Sequence, residues 1–162
     1  MHPLAGSRGL IFAFRGRFNL QRFWLAALLS LLADQASKSL VLKLLFREIT
    51  ILPGVMAFRY VANPGAAFGL LVNQTQLLIL LTLGLGLAIV VGHQKIRAAN
   101  ACFQWGVGLL FGGALGNLID RLRFGYVVDF IDFGFWPVFN LADTAIVFGV
   151  VLVAIAVLRS NP

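Results

Sequence analysis

Three of the chain's six acidic residues fall inside one apolar stretch, VVDFIDFGFWPVFNLADTAI, as Asp129, Asp132 and Asp143. A carboxylate beside lipid is expensive to ionise, so each needs a reason to be there. Surface charge, an ion path and a working pair of carboxylates are the three readings open. The other acids at membrane level have basic neighbours: Asp34 has Lys38 one turn along, and Asp120 has Arg121 and Arg123. Those read as structural ion pairs that pin helix ends. Asp129 and Asp143 have no basic residue within four positions. Burial without a counter-charge raises a carboxyl's pKa. Two such groups held together share one proton, which leaves one as base and one as acid. That is enough to activate water and protonate a leaving amine, and so to hydrolyse a peptide without metal or covalent nucleophile.

Other chemistries are poorly supplied. The two histidines, His2 and His93, flank membrane segments on the side assigned below to the cytoplasm, and no HExxH is present. No serine stands in a GxSxG elbow. The single cysteine, Cys102, makes no intrachain disulfide and no cysteine metal cage. Glycines such as those of GLGLAIVVG lie inside apolar runs rather than after a soluble strand, so no phosphate loop is read there. No cofactor and no metal are expected.

The elements that must position these groups follow from composition. The chain has 162 residues, 60% hydrophobic and 12% charged, where a soluble domain carries about 25% charged residues. It reads as one polytopic membrane bundle, a single integral-membrane domain over residues 1–162. Four segments are long and apolar enough to span: about 23–42, 76–92, 101–119 and 139–158. The first contains Asp34 and Lys38, unlike a cleaved signal-peptide core, and reads as a retained span. The net charge of +7 has its cause in basic residues flanking spans, not in nucleic-acid binding. Arg8, Arg15, Arg17 and Arg22, the short basic connection HQKIRAAN, and Arg159 lie on one side, which the positive-inside rule makes the cytoplasm. Both termini are then inside. The basic segment 1–22, with Phe12, Phe14 and Phe18, suits either a headgroup-level segment or a disordered tail.

The outer segments are 43–70 and 120–138. In the first, ITILPGVMAFRYVAN reads as two short strands about the Pro53-Gly54 turn, leaning on the membrane surface or on the second outer segment. The second reads as a loop. Gly108, Gly112 and Gly116 recur every four residues and let another helix approach, with Ala145 and Gly149 as a weaker version in the last span. This arrangement brings Asp34, Asp120, Asp129 and Asp143, with Asn63, Asn117 and Asn140, to one depth at the outer boundary. A transporter would need ionisable groups through the bilayer's depth, and spans two to four nearly lack them in their inner halves. A structural subunit would tolerate asparagine at the aspartates.

At these residues the chain closely resembles signal peptidase II, the bacterial lipoprotein signal peptidase family. The resemblance runs from about Asp34 to Ile146, through DQASK, NPGAAFG, GGALGNLIDRLRFGYVVDF and FNLADTAI, in that order. It implies four transmembrane helices, a small extracytoplasmic β-cradle and a short outer helix or loop. It implies an aspartic endopeptidase that removes the signal peptide from diacylglyceryl-modified prolipoproteins, cutting before the lipidated cysteine. The catalytic aspartates carry over to Asp129 and Asp143. Substrate-binding or supporting positions carry over to Asp34, Lys38, Asn63, Gly65, Asn117, Asp120, Arg121, Asn140 and Ala142. Asp132 lies outside the family's pattern and reads as a solvated bystander, and Gly69 stands where relatives often have serine. The implied partners are a lipidated prolipoprotein and membrane lipids, with the protein a monomer in the bacterial cytoplasmic membrane and its active site at the outer face.

Overall fold

The computed structural model describes residues 19–44, 47–65 and 74–160. The basic segment 1–22 is therefore described only from residue 19, and of NPGAAFG only residues 63–65 fall within it; Gly69 lies outside the described residues. The elements in order are α1 (Asn19–Leu44), β1 (Ile49–Leu52), β2 (Met56–Asn63), α2 (Thr75–Ala98), α3 (Ala101–Phe124), β3 (Val127–Asp132) and α4 (Leu141–Ser160). All four helices are long and apolar enough to cross a membrane.

Local sequence sets the ends of α3. Asn100 is its N-cap, its side-chain oxygen accepting from the Phe103 N–H at 2.9 Å. Gly125 closes it in the left-handed region, φ 81°, where a Cβ would be strained. The helix thus runs past residue 119, where the apolar run ends, and Asp120 and Arg121 sit inside it rather than at its exit.

Helix α3 is the centre of the bundle. Half of its most apolar stretch is buried, whereas none of α2's is. The reason lies in its glycines, which present two faces. Gly108, Gly112 and Gly116 lie against Phe23, Ala27 and Asp34 of α1. Gly106 and Gly113 lie against Gly149 and Ala142 of α4. A side chain at Gly106, Gly108, Gly112 or Gly113 would push the neighbouring backbone away, and one at Gly116 would meet the Asp34 carboxylate. The regular four-residue spacing thus positions α1, and a second, irregular set positions α4. Exposed leucines and valines such as Leu80, Leu87, Val91 and Val147 cover the outer faces, as expected for surfaces that meet lipid.

The three strands form one antiparallel sheet in the order β1-β2-β3. The hairpin about Pro53-Gly54 is present as read, with Gly54 at φ 72°. The second outer segment is not the plain loop expected from its sequence. Residues Val127–Asp132 pair with β2, matching Val61 to Asp129 and Asn63 to Val127. Five of the six β3 residues are buried, so the strand carries no polar-apolar alternation by which to recognise it. Among the described residues the segments between the helices hold strands, turns and loops and no short outer helix, and residues 66–73, between β2 and α2, lie outside the described residues.

Candidate active site

Asp129 lies on β3 and Asp143 in the first turn of α4, and both open on one cavity of about 810 Å³. Each is placed by asparagines. Asn63 of β2 donates to Asp129 Oδ2 at 2.8 Å, and Asn140 donates to Asp129 Oδ1 at 2.7 Å. Asn117 of α3 donates to Asp143 Oδ1 at 2.8 Å.

Asn140 and Asp143 also cap α4 reciprocally. The Asp143 N–H donates to Asn140 Oδ1 at 2.9 Å, and the Asn140 N–H donates to Asp143 Oδ2 at 3.3 Å. This is a capping box with Asn and Asp in place of Ser and Glu. The pattern N-x-x-D before an apolar run is readable in FNLADTAI, and it explains why Asp143 is held just inside its helix.

Behind the cavity lies a buried ion cluster. Lys38 Nζ is 2.9 Å from Asp34 Oδ2 and 2.9 Å from Asp120 Oδ2. Its third hydrogen bond, 3.0 Å, goes to Asn117 Oδ1. The expected Asp34–Lys38 pair is therefore present. The expected pairing of Asp120 with Arg121 or Arg123 is not: Lys38 reaches Asp120 from α1, and the two arginines turn to other partners. Arg121 Nη2 instead donates to the Gly65 carbonyl at 3.1 Å, and the Arg123 guanidinium lies 5.0 Å from the Phe124 ring centre. Asp120 Oδ2 also accepts from the Val128 N–H at 3.0 Å, one residue before Asp129. Asp34 Oδ1 accepts from the Ala142 N–H at 2.9 Å, one residue before Asp143. The two members of the cluster thus grip the backbone beside each cavity aspartate. Ala142 is fully buried against Gly113 and Gly116, and the Gly65 N–H donates to Asn63 Oδ1 at 2.9 Å, orienting that amide.

The residues read from sequence thus come together in one connected set. Asp132 does not join it, and it is not a solvated bystander either. Its side chain is 14% exposed and pairs with Arg59 at 2.7 Å, while its other oxygen accepts from the Gly134 N–H at 2.7 Å. Turn geometry and Arg59 hold its carboxyl below the usual range. Two polar residues escaped the sequence reading. Gln35 donates to Asp34, to Asp120 and to the Gly116 carbonyl, tying α1 to α3. Arg59 lines the cavity. Its signal is the alternation Arg59, Val61, Asn63 along β2.

Electrostatically the cavity favours a shared proton. Burial, and then the nearby Asp143 carboxylate, push the Asp129 carboxyl from its ordinary 3.8 up to about 7, against the opposing hydrogen bonds from Asn63 and Asn140. One carboxylic acid and one carboxylate at neutral pH can exchange roles across a bound water. Among the described residues no group of three His, Cys, Asp or Glu is placed to hold a metal ion. Asn117, Arg121, Asp143 and Ile146 also border a second cleft of about 320 Å³, lined by Leu78 and Leu81 of α2.

Four spanning helices, a three-stranded sheet and a buried polar centre define a polytopic membrane enzyme. Two solved structures, both described as a bacterial membrane enzyme, have this fold. One superposes with a TM-score of 0.76 at 32% identity, covering 85% of this chain and 87% of that one. The other has a TM-score of 0.73 at 34% identity, covering 85% and 92%. The family model for signal peptidase (SPase) II matches residues 26–159. Similar relatives include the lipoprotein signal peptidase of Pelotomaculum thermopropionicum, 49% identical over 133 residues, covering 81% of this chain and 88% of that protein. The lipoprotein signal peptidase of Moorella thermoacetica is also 49% identical over 133 residues, covering 80% and 88%. The chain belongs to the signal peptidase II family and is a membrane-embedded peptidase.

Proposed function

We propose that the protein is an aspartic endopeptidase that removes the signal peptide from diacylglyceryl-modified prolipoproteins, cleaving before the lipidated cysteine. The observation that carries this reading is the pair Asp129 and Asp143, from separate elements, on one cavity and each fixed by asparagine donors. The lipoprotein signal peptidases it resembles support the substrate class.

In this mechanism residues 1–162 act as one integral-membrane domain in the bacterial cytoplasmic membrane, a monomer with both termini cytoplasmic. The cavity then faces the outer boundary, where water is available. A water sits between the two carboxyls. The ionised one takes its proton as the oxygen attacks the scissile carbonyl, and the protonated one gives its proton to the carbonyl oxygen. The tetrahedral intermediate collapses when the newly protonated carboxyl gives its proton to the cysteine nitrogen and the other carboxylate takes back a hydroxyl proton, so the C–N bond breaks, the signal peptide acid and the mature amine leave, and the pair again holds one proton. The proton belongs to the pair rather than to one member. Asn63, Asn117 and Asn140 keep both carboxyls aimed, and the Lys38 cluster fixes the backbone that carries them. Arg121 and Gly65 shape the cavity wall.

The test is the purified protein in lipid nanodiscs, given one prolipoprotein with and without its diacylglyceryl group. Mass spectrometry should find a new N-terminus at the lipidated cysteine only in the modified substrate. Cleavage elsewhere, or none, contradicts the proposal.

A further inference from the structure

We propose that Arg59 determines substrate preference by binding the carboxylate of an acidic side chain three to four residues past the scissile bond, on the mature side. The inference rests on the function proposed above.

The β2–β3 ladder contains a bulge. Phe58 pairs with Ile131 and Val61 with Asp129, so two residues, Arg59 and Tyr60, stand opposite Phe130 alone. A bulge of this kind re-aims a side chain, and Arg59 lines the cavity that holds Asp129 and Asp143. One edge of its guanidinium is anchored: Nε and Nη2 lie 2.9 and 2.7 Å from Asp132 Oδ2. Asp132 is fixed in turn by the Gly134 N–H. The other edge, carried by Nη1, donates to no described residue, and the side chain is 49% exposed. A guanidinium held on one edge and open on the other is a preset fork for a carboxylate. The second arginine on the cavity, Arg121, is already engaged on the Gly65 and Asn117 carbonyls.

The cavity also has a direction. Ile146, Val147 and Phe148 line it from further into α4, and Arg59 lines it from β2 of the outer sheet. The signal peptide precedes the cut and is apolar, while the mature segment follows it and leaves for water. With the scissile bond at the two aspartates, the mature segment runs toward Arg59. From Asn63, which touches Asp129, to Arg59 is four residues of strand, about 13 Å, the length of roughly four extended substrate residues.

The experiment measures kcat/KM in nanodiscs for diacylglyceryl-modified peptides differing only at the second and third residues past the cysteine, which are the third and fourth past the scissile bond, as Glu, Gln or Lys. Wild type should prefer the Glu to the Lys peptide by roughly three- to tenfold, because a partly exposed attraction for the one and a repulsion of the other add. The preference should sit in KM and shrink as salt rises. Arg59→Gln should bring the ratio near one, and Arg59→Glu should invert it. Because each ratio compares two substrates on one enzyme preparation, loss of folded protein cancels. Equal kcat/KM for the Glu and Lys peptides in wild type overturns the inference without any variant, as does an undiminished preference in Arg59→Gln. Cleavage of no peptide by wild type overturns the proposed function, and this inference with it.

Discussion

Replacing Lys38 by Met keeps the side chain's length and removes its charge. In the wild type its ammonium lies 2.9 Å from Asp34 and 2.9 Å from Asp120, with all three side chains 3% exposed or less. The variant strands two buried carboxylates without their cation. Breaking a buried ion pair by deleting one partner costs about 3–5 kcal/mol. One ammonium here serves two carboxylates, which places the expected loss at the upper end. For a chain of this size each kcal/mol moves Tm by roughly 2–4 °C, so thermal unfolding in detergent should show a drop on the order of 10 °C. Intrinsic tryptophan fluorescence would report it. Adding Asp34→Asn to Lys38→Met removes one of the stranded charges and should recover at least ~1 kcal/mol, a non-additivity expected of contacting groups. Cleavage should fall in the single variant even where it is folded, because Lys38 holds Asn117 and Asn117 holds Asp143. A drop of under about 2 °C, or strictly additive effects in the double variant, would refute this picture of the cluster.

The pH dependence has a defined sign. Asp129 is raised to about 7, so above that pH both carboxyls ionise, the acid is lost, and kcat/KM should fall; undiminished activity at pH 9 would contradict this. The Asn63 hydrogen bond lowers the Asp129 pKa, so Asn63→Ala should move the alkaline limb of that profile to higher pH, and a shift to lower pH would count against the assignment. Gly112→Ala places a methyl against the Ala27 backbone and should cost about 1–3 kcal/mol as an overpacked contact. By contrast Gly84→Ala on α2 meets nothing within 4 Å and should leave Tm unchanged or higher. Equal behaviour of the two glycine variants in thermal unfolding would dismiss the close-packing argument.

Local patterns were legible in the sequence, and partners distant along the chain were not. The four-residue spacing of Gly108, Gly112 and Gly116 shows the face that meets α1, and Asp34 with Lys38 shows a helical pair, because both are periodicities of one helix. Asp120 was paired with its neighbours Arg121 and Arg123 for the same reason. Its real partner, Lys38, is 82 positions away, and no local spacing shows it. Strand β3 was hidden because it is buried on both faces, so VVDFID reads as a generic apolar run. Asp132 and Arg59 were missed as a pair because their meeting depends on the β2–β3 register and its bulge. The positions of Asp129 and Asp143 were reachable because the segments carrying them are short and begin at helix ends. The asparagines that aim them were reachable only as polar groups at the same depth, without their bonds.

The central claim is that Asp129 and Asp143 together activate the water. Its most direct measurement is cleavage of a diacylglyceryl-modified prolipoprotein by Asp129→Asn and by Asp143→Asn, each purified in nanodiscs and shown to be folded by its thermal transition. Each substitution removes half of an acid–base pair, and each should lower the rate by at least ~10²–10⁴-fold, while Asp132→Asn still cleaves. Wild-type cleavage by either folded variant would contradict the account.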